Sequence, residues 1–121
     1  MLKALIPFAV LLAPTVAQAQ EAAELPALSL EQRTSLRCAA AFAIVSNGQA
    51  NGNETALKYP PMQERGREFF VRASARLMDE LGLDRAQIQQ LVSKEAQVLW
   101  DSGAIEDVMP ACLSLLDASG I

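Results

Sequence analysis

Residues 38–45 read Cys-Ala-Ala-Ala-Phe-Ala-Ile-Val, a run of eight apolar side chains. A helix built from this run has no polar face over two turns, and a helix that is apolar on every side is buried on every side. Its alanines allow neighbouring helices to approach closely. We therefore expect the helix that contains residues 38–45 to be the central element of the fold.

Signals at both ends define the extent of this central helix. Ser29 can cap it, while Gln32, three residues on, can reach back to complete a capping box. The Asn47-Gly48 pair supplies a stop signal. The sequence therefore predicts a first helix over residues 29–46.

Three more helices follow a turn-rich loop at 48–58, the longest loop that the sequence predicts. They are expected at 61–81, 84–102 and 104–118, and Pro110 is expected to split the last one into a turn and a shorter helix. Their boundary residues are Pro61 and Gly82 for the second helix, and Asp84, Gln87 and Gly103 for the third.

No stretch shows the sustained alternation of apolar and polar residues that a strand requires. Residues 29–121 are therefore expected to form a single all-α domain, a small antiparallel bundle of about four helices closed by one disulfide. Short connections between the last three helices favour packing between sequential neighbours.

The first nineteen residues have the features of a cleaved signal peptide. Lys3 precedes an apolar run, and Ala17-Gln18-Ala19 has the small residues that a signal peptidase requires. The apolar run is shorter than the roughly 20 residues needed to cross a bilayer, so an uncleaved membrane anchor is the weaker alternative. Cleavage removes the run, and no stable membrane insertion is expected afterwards. The sequence predicts export, with the bacterial periplasm as the favoured compartment and the extracellular medium as the alternative, and a flexible leader at 20–28.

Cys38 and Cys112 are the two cysteines of the chain. In an oxidising compartment two cysteines pair, and these two allow one connectivity. A redox-active pair is the alternative, but the Cys-x-x-Cys spacing of such pairs is absent. We therefore expect a structural disulfide between the first and the last helix.

Composition excludes several classes of function. The chain has no histidine, which removes zinc sites built from Cys and His, His-based triads and imidazole acid-base catalysis. Its formal net charge is −4, without the basic patch that nucleic acid requires. No phosphate loop, nucleophile elbow or acidic metal loop is present, so no catalytic residue, no cofactor and no metal are expected.

Glu95 lies inside the predicted apolar face of the third helix, four residues from both Leu91 and Leu99. A buried carboxylate without a partner is costly, so a structural ion pair is expected, with Arg37 of the first helix as the first candidate. The alternative is a pH-sensitive carboxyl or a ligand contact in a pocket.

Arg65, Arg72 and Arg76 fall on one side of the second helix. Three aligned arginines can receive an anionic ligand or partner. The alternative is a solvated face on which acidic residues at helical spacing, such as Glu68 and Glu80, neutralise the arginines.

Three classes of function remain open for the sequence. The preferred class is a non-enzymatic protein of the cell envelope that binds an unknown protein partner, as chaperone-like, inhibitor or immunity proteins do. A carrier of a small hydrophobic or anionic ligand between helices is the second class. The third is an accessory subunit of a membrane complex that docks through Val71 and Met78, opposite the core stripe of the second helix.

Overall fold

A computed structural model describes residues 27–121, and these residues form five α-helices and no strands. The helices are α1 (Leu30–Ala50), α2 (Glu54–Leu57), α3 (Arg65–Leu81), α4 (Arg85–Ser102) and α5 (Ile105–Ala118). The all-α prediction is confirmed. The predicted signal peptide and residues 20–26 of the predicted leader lie outside the described residues, whereas Leu28 packs against the core.

Side-chain caps fix the starts of α1 and α4. Ser29 and Gln32 form a complete capping box at the start of α1, and Asp84 and Gln87 form another at the start of α4. In each box the cap side chain accepts from a backbone N–H and the Gln side chain accepts one in return, so two unpaired donors of the first turn are satisfied. Both helices start where the sequence predicts.

The predicted stop at Asn47-Gly48 is wrong, because α1 continues to Ala50. Gly48 instead allows α2 to cross closely over α1, since a Cβ atom at this position would lie 2.7 Å from the Cβ of Ala56. The predicted loop 48–58 therefore contains a helix. Asn53 caps α2 by accepting a hydrogen bond of 3.2 Å from the backbone N–H of Ala56.

The start of α3 also differs from the prediction, at Arg65 rather than Pro61. The connection from α2 to α3 is held by the side chain of Gln49. Its Nε2 donates to the carbonyls of Ala56, Tyr59 and Pro60 at 2.9 to 3.2 Å, and its Oε1 accepts from the N–H of Met62 at 2.9 Å. Gln49 of α1 thus binds four backbone groups of this connection. The sequence pattern assigns those groups to a loop or to the first turn of a helix.

The predicted split at Pro110 is wrong, because α5 is one helix with Pro110 inside it. Proline removes the hydrogen bond to the carbonyl four residues earlier, which belongs to Glu106. Both residues are exposed, so water can satisfy the free carbonyl on the solvent side of the helix. The buried side, with Met109 and Cys112, continues without interruption.

Helix α1 is the hub of the described fold, since α2, α3, α4 and α5 all pack against it. The larger core cluster surrounds Phe42, whose ring meets that of Phe69 edge to face at 5.2 Å. A smaller cluster joins the first half of α1 to the turn between α3 and α4 through Leu36, Leu77, Leu83, Ile88 and Leu91.

The predicted disulfide is confirmed. Cys38 in α1 is bonded to Cys112 in α5, with a Cα to Cα distance of 5.2 Å, and both residues are buried within the larger cluster. The bond ties the hub helix to the last helix of the chain.

Two apolar residues are more exposed than the sequence pattern predicts. Ala43, in the middle of the apolar run, faces solvent, so α1 is not enclosed on every side. Val98 follows the buried Leu91 by seven residues and so falls on the same helical face, but 53% of it is exposed. Ala43 lies in an open groove and Val98 faces solvent, which a helical pattern alone does not reveal.

Candidate binding grooves

Two open grooves lie on either side of Tyr59, in the connection between α2 and α3. The smaller one, called here the Trp100 groove, has a volume of about 310 Å³. The larger one, called the Arg67 groove, has a volume of about 730 Å³. Tyr59 lines both grooves, and Gln49 fixes its position by binding the carbonyls of Tyr59 and Pro60.

The Trp100 groove runs between the end of α1, the end of α4 and the start of α5. Trp100 stands in the last turn of α4 and is 65% exposed, next to Leu99, which is buried in the core. Gly103, with a φ of 65°, ends α4 and turns the chain toward α5. The apolar lining is formed by Ile44, Val45, Tyr59, Leu99, Trp100 and Ile105.

The Trp100 groove is acidic as well as apolar. Within the described part of the chain, Glu106 is the one charged residue that lines it. Burial raises the pKa of the Tyr59 hydroxyl above its ordinary value, and the negative charge of Glu106 raises it further. Residues 95–121 contain five acidic residues and no lysine or arginine, so no cation from α5 offsets the charge of Glu106.

The Arg67 groove lies between the second half of α1 and the first half of α3. Its apolar walls include the exposed Ala43 and Leu57 together with Tyr59, Pro61 and Phe70. Arg67 is the one charged residue that lines it among residues 27–121, and none of the ion pairs in that range involves Arg67. The two grooves thus carry charges of opposite sign.

Glu95 and Arg37 contact each other, but they lie outside both grooves. The Arg37 Nε donates to a carboxylate oxygen of Glu95 at 3.2 Å, which links α1 to α4. The Glu95 side chain is 20% exposed and that of Arg37 is 53% exposed. The pair is therefore partly solvated at the edge of the helix interface.

The structure separates Arg65 from the other two arginines of the predicted row. Arg65 binds Asp117 at 2.8 Å and the carbonyl of Ile121 at 3.1 Å, so it holds the end of the chain against α3. The other two pair along α3 with acidic residues four positions away: Arg72 with Glu68 at 2.8 Å and Arg76 with Glu80 at 4.0 Å.

A third groove, of about 670 Å³, brings Arg72 and Arg76 next to Leu30 and Phe69. Both arginines have carboxylate neighbours, so the cationic charge available to a ligand there is reduced. The outer side of α3 presents little apolar surface, since Val71 is exposed but Met78 packs against the smaller core cluster.

Sequence reasoning missed three residues that shape the grooves: Gln49, Arg67 and Glu106. Gln49 was part of a predicted loop, and its role depends on the path of a segment ten residues further on. Arg67 falls outside the aligned arginines. Glu106 could have been noticed from the absence of lysine and arginine after residue 94, which makes every charge in that part of the chain negative.

Comparisons with known proteins returned no match: no protein family, no curated protein and no solved structure is similar to the chain. Among the described residues, no cluster of three or more Cys, Asp or Glu side chains is placed to hold a metal ion. None of the five helices is long and apolar enough to cross a membrane.

Proposed function

We propose that the protein is a small, exported, non-enzymatic protein of the cell envelope that binds another protein through the Trp100 groove. Its mode of action is surface contact, as in chaperone-like, inhibitor or immunity proteins. The observation that carries the proposal is the exposure of Trp100 at the rim of an apolar groove. Tryptophan is enriched among the residues that dominate binding energy in protein interfaces.

The charge of the groove indicates the chemistry of the partner. Glu106 lines the groove and the adjacent helix start carries Asp107, with no basic residue nearby in the sequence. A partner segment with an apolar side chain flanked by lysine or arginine complements both the apolar floor and this negative charge.

Export to an oxidising compartment, with the periplasm as the favoured one, is part of the proposal. It is supported by the leader pattern at 1–19 and by the buried disulfide, because structural disulfides persist in oxidising compartments. Terminal sequencing of the exported protein is expected to give Gln20 as the first residue. A chain that retains Lys3 and fractionates with membranes would contradict this part of the proposal.

The antiparallel arrangement of the long helices is also proposed. It is supported by the smaller core cluster, where Leu36 in the first half of α1 meets Leu77 near the end of α3 and Ile88 near the start of α4. Successive helices α1, α3 and α4 then run in opposite directions. The ion pair between Arg65, at the start of α3, and Asp117, near the end of α5, joins opposite ends of these two helices. It supports an antiparallel pairing of α3 and α5 as well.

The binding proposal can be tested in living cells with benzoylphenylalanine, an aromatic photo-crosslinking amino acid, at position 100, where it keeps a large apolar ring in place of the indole. A matched control places it at position 71, because Val71 is similarly exposed but lies on α3, away from the groove. We expect one defined adduct at position 100 and none at position 71. The charge reversal Glu106→Lys is expected to reduce that adduct strongly.

Purified protein supplies a second measurement. Trp100 is the only tryptophan in the chain, so its fluorescence reports directly on the groove. Binding of a lysine-flanked leucine-phenylalanine peptide is expected to shift the tryptophan emission to shorter wavelength. The Trp100→Phe variant lacks this signal, so its affinity is measured with a dye-labelled form of the same peptide. Equal binding of a glutamate-flanked peptide, or equal adducts at positions 71 and 100, would contradict the proposal.

A further inference from the structure

We propose that the Arg67 groove binds a single-chain anionic amphiphile, a fatty-acid-type carboxylate whose alkyl chain lies along the apolar walls and whose head group meets Arg67. This site is separate from the Trp100 groove and takes a different class of ligand. It lies between helices, at a position that neither Glu95 nor the aligned arginines mark.

The size and lining of the groove suit an alkyl chain. Ligand sites for small molecules have volumes of about 300 to 1,000 Å³ and mostly apolar walls, and the Arg67 groove has about 730 Å³. Leu57 and Ala43 are exposed at its edges, and Phe70 and Tyr59 are partly buried along its sides. An alkyl chain in the groove would cover apolar surface that otherwise faces water, which is favourable.

The charge of the groove selects an anionic head group. Arg67 has no carboxylate within ion-pair distance among residues 27–121, whereas Arg37, Arg65, Arg72 and Arg76 each have one. Asn47 and Gln63 also line the groove and carry amide donors. A guanidinium group binds a carboxylate through two parallel hydrogen bonds, so Arg67 can hold the head group in a defined orientation.

The backbone of the groove wall favours an alkyl chain over a peptide. An extended peptide bound in a groove gains affinity from main-chain hydrogen bonds. Among the residues of this segment that line the groove, the carbonyl of Tyr59 already accepts from Gln49, and Pro61 has no N–H to donate. This wall offers few hydrogen bonds to a peptide, and an alkyl chain requires none.

The test is calorimetric titration of the full exported protein with sodium decanoate below its micelle concentration. We expect saturable binding with one site, and about tenfold weaker binding for Arg67→Gln, because glutamine keeps one amide donor but loses the charge and the second of the two hydrogen bonds. Arg33→Gln is the matched control: Arg33 is exposed, makes no ion pair among the described residues and lies outside the groove. Its affinity for decanoate is expected to be unchanged.

Two further measurements locate the site. Backbone amide shifts on decanoate binding are expected at Gln63 and Gly66, in the groove, and not at Gly103 near Trp100. Leu57→Ser, an exposed position on the groove wall, is expected to weaken binding while the circular dichroism spectrum stays the same. Trp100→Ala is expected to bind decanoate normally, so that failure of the protein-binding proposal and failure of this one are distinguishable.

Several results would overturn the inference. Absence of saturable decanoate binding is one. Equal affinities of Arg67→Gln and Arg33→Gln, or tighter binding of decyltrimethylammonium than of decanoate, are others, since each removes the role of the arginine charge. An acidic, leucine-rich peptide that shifts Gln63 and Gly66 when decanoate does not would assign the groove to a peptide partner.

Discussion

The two grooves share the Tyr59 wall, yet they differ in size and in the sign of their charge. The Arg67 groove has about 730 Å³ and a cationic residue, and the Trp100 groove has about 310 Å³ and an anionic one. The difference follows from the helices that meet Tyr59 on each side. On one side α3 contributes arginines, whereas on the other side all charged residues of α5 and of the end of α4 are acidic. One short segment therefore separates two surfaces of opposite charge.

Removal of the disulfide is expected to have the largest effect on stability and to affect both grooves equally. Cys38 and Cys112 lie in the core cluster that supports both of them. The double change Cys38→Ser with Cys112→Ser is expected to lower the free energy of unfolding by about 2 to 4 kcal/mol, measured by urea denaturation. Unfolding that first releases one groove, detected by hydrogen exchange, would show that the two surfaces are supported separately.

Gly48→Ala is expected to have the next largest effect, on the packing of α2 against α1. Alanine favours the helix by about 1 kcal/mol over glycine, but its Cβ would lie 2.7 Å from that of Ala56, so α2 must move. A net loss of about 1 to 2 kcal/mol is expected, measured by thermal or urea unfolding, as overpacked sites typically show.

The double variant Gly48→Ala with Ala56→Gly tests the cause of that loss. It removes the contacting methyl group, so stability is expected to recover in part, as a positive coupling between the two positions. If the free-energy changes of the two substitutions simply add, the contact between positions 48 and 56 is not the cause of the loss. The close approach of α1 and α2 then does not determine the position of the segment around Tyr59.

Glu95→Gln is expected to have a smaller effect and to leave both grooves unchanged, because its ion pair with Arg37 lies outside them. Sequence alone predicts a buried pair and a loss of about 1 to 3 kcal/mol. Since half of the Arg37 side chain is exposed, we expect a loss of about 0.2 to 1 kcal/mol in urea denaturation. Lys94→Gln is the control, because Lys94 is an exposed neighbour that takes part in none of the ion pairs of the described chain. An equal loss of unfolding free energy in this variant would show that the ion pair is not the cause.

The smallest expected effect is on the titration of Tyr59, the only tyrosine in the chain. Its pKa is raised, first by burial and then by Glu106. The folded protein therefore holds the phenolic proton more tightly than the unfolded chain. This preference stabilises the fold below the unfolded pKa of about 10 and is lost as pH rises through the folded value.

Ultraviolet absorbance of tyrosinate measures this titration directly. Glu106→Gln is expected to lower the midpoint toward about 10 without reaching it, because the effect of burial remains. Arg67→Gln, a change in the other groove that Tyr59 lines, serves as the comparison for the Tyr59 titration midpoint. A midpoint at the value of free tyrosine in the parent protein would show that the ring is solvated from both grooves.

Features of the fold that depend on local sequence were predictable. The capping boxes at Ser29 and Asp84 place the starts of α1 and α4 correctly, because the residues involved are three positions apart. The disulfide followed from the presence of two cysteines in a chain whose first residues predict export. The start of α3 was not predictable, because Gln49 determines the path of the preceding segment through contacts that span 7 to 13 residues.

The grooves could not be predicted for a related reason. Ala43 and Val98 have apolar neighbours at helical spacing, so a pattern assigns both to the core. Whether such a residue is covered depends on the distance between helices, which the pattern does not contain. Trp100 could be placed at the edge of its face, but its position beside Tyr59 and Ile105 requires the turn at Gly103.

Gln49 binds only backbone atoms of the segment that separates the grooves. The path of that segment is therefore largely independent of the side chains at Leu57 and Tyr59, which line the grooves. Substitutions at these positions can alter what each groove accepts while the loop keeps its shape. The scaffold thus offers a means to diversify recognition by exchanging two or three side chains, in a library that keeps Gln49 and Gly48.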